Sequence, residues 1–135
     1  MQLVELTAAD QEVLAAARDV IVRNYSEDRH GVGAAIRAAS GQIYPGVNIE
    51  APGSGPCAEH VALGAAISNG ERNYDIVVAV AGWEPPYPIL HPCGTCRQML
   101  LDYAPDIWVI LSVEGQPVKA PIGDLLPFPY RFFGE

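Results

Sequence analysis

Basic residues are scarce in this chain: eight lysines and arginines stand against sixteen aspartates and glutamates in 135 residues, for a formal net charge of -8. Binding to long nucleic acid depends on cations that neutralise phosphates. Eight scattered ones exclude a nucleic-acid polymer as partner. The acidity is that of an ordinary cytosolic protein, with a mild preference for neutral or cationic small substrates. Long apolar runs are missing too. None approaches the ~20 residues that cross a bilayer, so no membrane partner is expected. The stretch Met1–Asp10 has no basic patch followed by an apolar run, so no secretory leader is read there and a cytoplasmic location is expected. Cysteine is rare and odd in number, at three. Cytosolic thiols stay reduced, which argues against a disulfide scaffold.

Apolar residues, by contrast, make up 50% of the chain, enough for a real core. A chain of this length buries roughly two thirds of its unfolded surface. It reads as one domain over residues 1–135, without repeat, low-complexity tract or linker.

The pattern along the chain predicts a helix over Thr7–Asn24, capped by Thr7 with Asp10 as its capping-box partner. Val13, Leu14, Ala17, Val20 and Ile21 form its core-facing stripe. Strands follow over Val32–Ala39 and Gln42–Ile49, joined by a turn at Ser40-Gly41. A Pro/Gly/Ser loop, Ala51–Pro56, leads into a helix over Cys57–Ser68. The apolar run Ile76–Ala81 reads as a strand buried on both faces. Four prolines make Trp83–Pro92 a loop, and Cys93–Tyr103 a third helix. A strand over Ile107–Val113, a possible short one near Val118, a terminal helix over Pro121–Leu126 and an aromatic tail, Phe128–Phe133, complete the reading. The expected class is α/β, a mixed sheet with helices on both faces.

Two segments carry chemistry: Pro56-Cys57-Ala58-Glu59 and Pro92-Cys93-Gly94-Thr95-Cys96, each where a loop enters a helix. Together they match the zinc-deaminase signature H-x-E…P-C-x-x-C in its three-cysteine form. Cys93 and Cys96, three apart, can face one side of a helical turn. Helix N-termini favour thiolates. Three protein ligands, Cys57, Cys93 and Cys96, leave the fourth position of a tetrahedral Zn²⁺ for water, the mark of a catalytic site. Zinc with three thiolates carries a formal charge of about -1, which opposes ionisation of that water. Arg97 and His60 are candidates to donate hydrogen bonds to the sulfurs and drain that charge. Glu59 can move protons from water to a substrate ring and then to a leaving amine. The backbone of Ala58 and Cys93 can meet the ring's polar groups. Other readings stay open at this point. The Cys-Gly-Thr-Cys pair can be a redox dithiol; the metal can be structural, with His30, His60 or His91 as fourth ligand; and Glu59 can be a first-turn acid serving the helix alone. His91 reads as a loop residue rather than a ligand.

The chain resembles the small cytidine deaminases, and more closely their blasticidin-S deaminase branch. The carriers are His30-Gly-Val-Gly-Ala-Ala-Ile36, Gly46-Val-Asn-Ile-Glu50, Cys57-Ala-Glu-His60, Ser68-Asn-Gly70, Pro92-Cys-Gly-Thr-Cys-Arg-Gln98, Asp102-Tyr-Ala-Pro105 and Leu125-Leu-Pro127. The resemblance implies a three-layer fold with a five-stranded mixed sheet. It also implies a homotetramer whose sites are completed across subunits, with the aromatic tail a candidate to reach a neighbour's site or to pack on the core, and a place in pyrimidine salvage. The implied reaction is zinc-dependent hydrolysis of cytidine or deoxycytidine to the uracil nucleoside and ammonia, with water attacking C4. Asn48 and Glu50 match the pair that holds the ribose 3′-hydroxyl. His30 stands where the family's base-stacking phenylalanine is usual, and His60 where arginine is usual. Blasticidin-S deamination is the alternative activity. A zinc-stabilised binding protein without catalysis is the alternative of a different class.

Overall fold

A computed structural model describes residues 1–131. Its elements run β1 (Val4–Glu5), α1 (Ala8–Asn24), β2 (Val32–Ala38), β3 (Ile43–Val47), α2 (Ala58–Ser68), β4 (Tyr74–Ala81), β5 (Ile89–Leu90), α3 (Gly94–Tyr103), β6 (Trp108–Val113), β7 (Gln116–Pro121) and a 3₁₀ turn, Ile122–Leu125. The sheet has the order β1-β7-β6-β4-β2-β3, with β5 on β4. Among the described residues, β4 and β6 pair in parallel and the other strand pairs are antiparallel. The expected α/β sandwich is present, with seven strands instead of five. The two extra strands, β1 and β5, have two residues each, too few for any periodic signature. The strand suspected near Val118 is β7. The expected terminal helix is the 3₁₀ turn. Part of the aromatic tail, residues 132–133, lies outside the described residues.

Alternation along the central strands sorts the core into two layers. Ala35, Ile76, Val78, Val80 and Ile110 meet Val13, Leu14, Ala17 and Ile21 of α1. Ala34, Ile36, Val77, Ala79, Val109 and Leu111 meet Ala58, Ala62, Leu63 and Ala66 of α2 and Leu100 of α3. So α1 covers one face, and α2 and α3 cover the other. Two glycines let helices approach the strands. A Cβ at Gly33 would stand 2.5 Å from the Ala17 carbonyl oxygen of α1, and one at Gly46 would stand 2.7 Å from the Ala62 nitrogen of α2.

The order of strands creates a cleft. β6 pairs with β4 at Ile76 and Val77, and β5 pairs with β4 further along, at Ala79 and Val80. The chain leaving β5 reaches Pro92 and Cys93 within three residues of Leu90.

On the α1 face, one buried carboxylate ties three elements together. Asp10, 1% exposed, completes the capping box with Thr7. Its Oδ2 accepts from Lys119 Nζ of β7 at 2.7 Å, and its Oδ1 from Arg37 Nη2 of β2 at 3.2 Å. Lys119, the only lysine of the chain, lies 5.2 Å from the Trp108 ring centroid. Burial alone would raise the Asp10 carboxyl. Hydrogen bonds from Lys119 and Thr7, with the charge of Lys119, outweigh it and hold the carboxyl below the usual carboxylate range. A lowered folded value means that stability is present above the unfolded pKa of about 3.9 and is lost as pH falls through the folded one. Asp10→Asn therefore takes the carboxylate partner from the half-buried Lys119 and leaves Arg37 with Asp75 at 3.5 Å, and should cost about 2 kcal/mol at pH 7. It should also flatten the acid limb of the stability curve. Urea midpoints at pH 7 and pH 3.5 check both; a variant equal to wild type at pH 7 would contradict the role.

Candidate active site

Cys57 and Cys93 are the N-caps of α2 and α3, each with extended backbone (ψ 158° and 171°). A proline before each keeps the incoming chain out of the helix. The two helices therefore start at the two motif cysteines, and their starts meet: the Cys57 and Cys93 sulfurs are 3.8 Å apart. Cys93 Sγ also accepts from the Cys96 backbone N–H at 3.4 Å, serving as the cap. The donor atoms of Cys57, His60 and Cys96 all lie within 4.8 Å of one another, and His60 Nδ1 is 3.5 Å from Cys96 Sγ.

All three thiols are free. Burial pushes the Cys57 and Cys96 thiols up, with the Glu59 carboxylate adding to both. Burial would raise Cys93 as well, but hydrogen bonds from the Cys96 backbone and from the neighbouring thiols leave it lowered. Such a set is made for a soft, borderline cation that keeps the thiolates charged. Two sulfurs on a tetrahedral zinc with Zn–S near 2.3 Å stand about 3.8 Å apart, the separation of Cys57 and Cys93. The residues fit zinc. His60 fits a donor to the Cys96 sulfur. Arg97, read from the sequence as a second such donor, is bonded elsewhere: Nε donates to Pro92 O at 2.8 Å and Nη1 to Leu125 O at 3.0 Å.

Glu59 follows Cys57 by two residues and is 6% exposed. Burial raises its carboxyl; its own backbone N–H and the Cys96 thiol pull it partly back. It lines a cavity of about 240 Å³ with Cys57, Ala58, Cys93 and Cys96, and Asn48 and Glu50 are among the other lining residues. Val32, Ala79 and Leu90 supply apolar wall.

Asn48 is buried and its amide is engaged. Oδ1 accepts from the Gly31 and Val32 backbone N–H groups at 2.8 and 2.9 Å, and Nδ2 donates to Glu50 Oε1 at 2.9 Å. Asn48 thus holds Glu50 in place, and the second Glu50 oxygen remains for a ligand. His30 is not among the residues lining the cavity. Its Nδ1 is 2.8 Å from the Asn48 carbonyl oxygen. A carbonyl only accepts, so Nδ1 carries the proton, and His30 braces Asn48.

Sequence reading passed over His91 as a loop residue. It lines the cavity, and its Nε2 sits 3.0 Å from Ser112 O and 3.2 Å from Ser112 N. Its place directly before the Pro92-Cys93 step was the available signal. A larger hollow of about 500 Å³ lies by Asp10, Arg37, Trp108 and Lys119. It holds no thiol, and Asp10 already pairs with Arg37 and Lys119 there, so the reactive set lies in the smaller cavity.

Residues 7–112 match the cytidine and deoxycytidylate deaminase zinc-binding region. A blasticidin-S deaminase of Bacillus cereus is 37% identical over 96% of this chain and 98% of its own length. A cytidine deaminase of Halalkalibacterium halodurans is 37% identical over 73% of this chain and 76% of its own. The crystal structure of the Burkholderia pseudomallei cytidine deaminase superposes with a TM-score of 0.74 at 29% identity, covering 93% of this chain and 100% of that one. A shared fold, a family region spanning most of the chain and end-to-end similarity leave one placement: the chain belongs to the cytidine and deoxycytidylate deaminase family of zinc-dependent hydrolases.

Proposed function

We propose that this chain hydrolyses the 4-amino group of a cytosine nucleoside, turning cytidine or deoxycytidine into the uracil nucleoside and ammonia. The observation that carries the reading is Glu59, a buried carboxyl beside three convergent thiols, in a cavity that also holds the Asn48–Glu50 pair. Bound by Cys57, Cys93 and Cys96, zinc supplies a Lewis acid that lowers the pKa of water from 15.7 towards about 7.

The chain's own residues do the rest. Glu59 takes a proton from the attacking water and passes it to the ring nitrogen next to C4. It then delivers the second proton to the amine as the C4–N bond breaks. Oxygen stays on C4 and ammonia leaves, so the atoms balance. Burial keeps the Glu59 proton affinity above that of an ordinary carboxylate, which suits a group that must hold a proton between two transfers. The N–H of Ala58, in the first turn of α2, has no intrahelical partner and is free for the ring carbonyl. His60 donates to the Cys96 sulfur and offsets thiolate charge. Glu50, aimed by Asn48, holds the sugar hydroxyl.

A second reading, deamination of blasticidin S, is supported by the full-length similarity to the Bacillus cereus enzyme. An ultraviolet assay against cytidine, deoxycytidine, cytosine and blasticidin S decides between them. Turnover of cytidine or deoxycytidine above the rest supports the first reading. Turnover of blasticidin S alone replaces it, and turnover of none refutes both. A homotetramer in the cytoplasm belongs to the same proposal. Phe128 and Tyr130, 101% and 72% exposed, are the kind of rings a neighbouring copy would cover, and sedimentation measures the assembly.

Glu59→Gln keeps the shape and removes the base. Zinc should stay bound while kcat falls by ~10²–10⁴. Near-normal kcat with zinc present would contradict the mechanism, and loss of zinc would make Glu59 a ligand.

Glu50→Gln should raise KM for cytidine roughly tenfold, the worth of a hydrogen bond to a charged group. A substrate without the 3′-hydroxyl should feel little. Equal changes for both substrates would remove Glu50 from the sugar site. Asn48→Ala is a poorer probe, because it strips the acceptor from two backbone N–H groups.

A further inference from the structure

Both side chains that follow Cys96 bond to the C-terminal segment. Arg97 donates from Nε to Pro92 O and from Nη1 to Leu125 O, at 2.8 and 3.0 Å. Gln98 Nε2 donates to Tyr130 O at 2.9 Å. Pro92 directly precedes Cys93. Leu125 ends the 3₁₀ turn, with its side chain 7% exposed in the core layer of α2 and α3. Ile122, at the start of that turn, is fully buried, and its N–H donates to Ile107 O at 3.0 Å. The Leu125 carbonyl is thus fixed by packing, whereas Cys93 is exposed and sits at the end of a loop.

We infer that Arg97 is a positioning residue for the metal loop: it ties the carbonyl before Cys93 to the core-anchored C-terminal turn, and so makes metal retention depend on that turn. The inference rests on the three-sulfur zinc site proposed above. Arginine suits the task because one planar group reaches two carbonyls from two nitrogens. A lysine ammonium keeps the charge but offers a single flexible point. Without the tie, Pro92 and Cys93 keep His91 on Ser112, the start of α3 and the Cys57 sulfur, and lose their link to the C-terminal turn. The third sulfur then samples positions off the metal, and zinc escapes faster. Gln98 adds a second, exposed tether outside the metal loop, so its loss should matter less.

The test is zinc release from the purified, zinc-loaded full chain into excess chelator, followed by a chromogenic zinc indicator. It compares wild type, Arg97→Lys, Gln98→Ala and Asp10→Asn. Asp10→Asn is the control for general destabilisation, since it lies in the other core layer. Arg97→Lys should release zinc at least about tenfold faster, in keeping with one or two lost charge-assisted hydrogen bonds. Gln98→Ala should change the rate less than threefold, and Asp10→Asn should leave it near wild type despite a lower Tm. Release from Arg97→Lys within twofold of wild type overturns the inference. So does equally fast release from Asp10→Asn, because stability and not positioning would then set the rate. A wild-type protein that holds no zinc overturns the zinc site itself, a failure visible before any variant is compared.

Discussion

Two helix starts must meet over one end of the sheet, or there is no site. Cys57 and Cys93 are 36 residues apart in sequence and 3.8 Å apart in space. Neither helix could bring that about alone. α2 lies against β3, where Gly46 lets the backbones approach. α3 lies in the crossover between the parallel strands β4 and β6, a connection that needs about a dozen residues or more and usually a helix. Both helices pack on the same sheet face through the same apolar layer. Prolines on the entering side keep the preceding chain out of both helices, which start at the cysteines. The meeting of the two cysteines is therefore a consequence of core packing, and the apolar layer under α2 and α3 sets their separation.

What could be read from the sequence follows from range. Cys57, Glu59, Cys93 and Cys96 announce themselves because their chemistry depends on neighbours within three residues. The buried strands announce themselves through continuous apolar runs. The α1 cap was legible through Thr7 and Asp10, three apart. The rest was hidden by distance. Asp10 is joined to Lys119 across 109 residues, and His91 to Ser112 across 21. No spacing rule reports such partners. Arg97 shows the limit most clearly. Adjacency to Cys96 suggested a bond to sulfur, but its helix position sends two of its nitrogens to carbonyls instead. His60, with the same adjacency argument, does reach a sulfur. Adjacency in sequence could not separate the two cases; the facing direction of each helix position did.

Asn48 illustrates how a polar residue serves a site by being fully occupied. Its buried amide oxygen takes two backbone N–H groups and its nitrogen takes Glu50. Buried polar groups are nearly always hydrogen-bonded, and these three bonds fix the orientation of the side chain. That orientation passes to Glu50, which is exposed and would otherwise be a mobile acid. His30 adds a bond to the Asn48 carbonyl. His30 is thereby a brace for the Asn48–Glu50 pair.

Charge supplies the remaining constraint. The cavity collects Glu59, Glu50 and three thiols in a chain that already carries -8. Its few cations are largely committed elsewhere. Arg37 and Lys119 neutralise Asp10 on the opposite face, and Arg97 holds carbonyls. Among the described residues, the side-chain nitrogen beside a sulfur is His60 Nδ1, 3.5 Å from Cys96 Sγ. A low-polarity pocket cannot keep three thiolates and a carboxylate charged without a counter-ion of comparable charge. Burial accordingly pushes two of the thiols, Cys57 and Cys96, up. A divalent metal resolves the conflict and replaces thiol protons with itself. Metal binding and local order at the two helix starts are then one equilibrium, and the same imbalance that makes the empty set unfavourable makes the filled one specific for a cation that prefers sulfur.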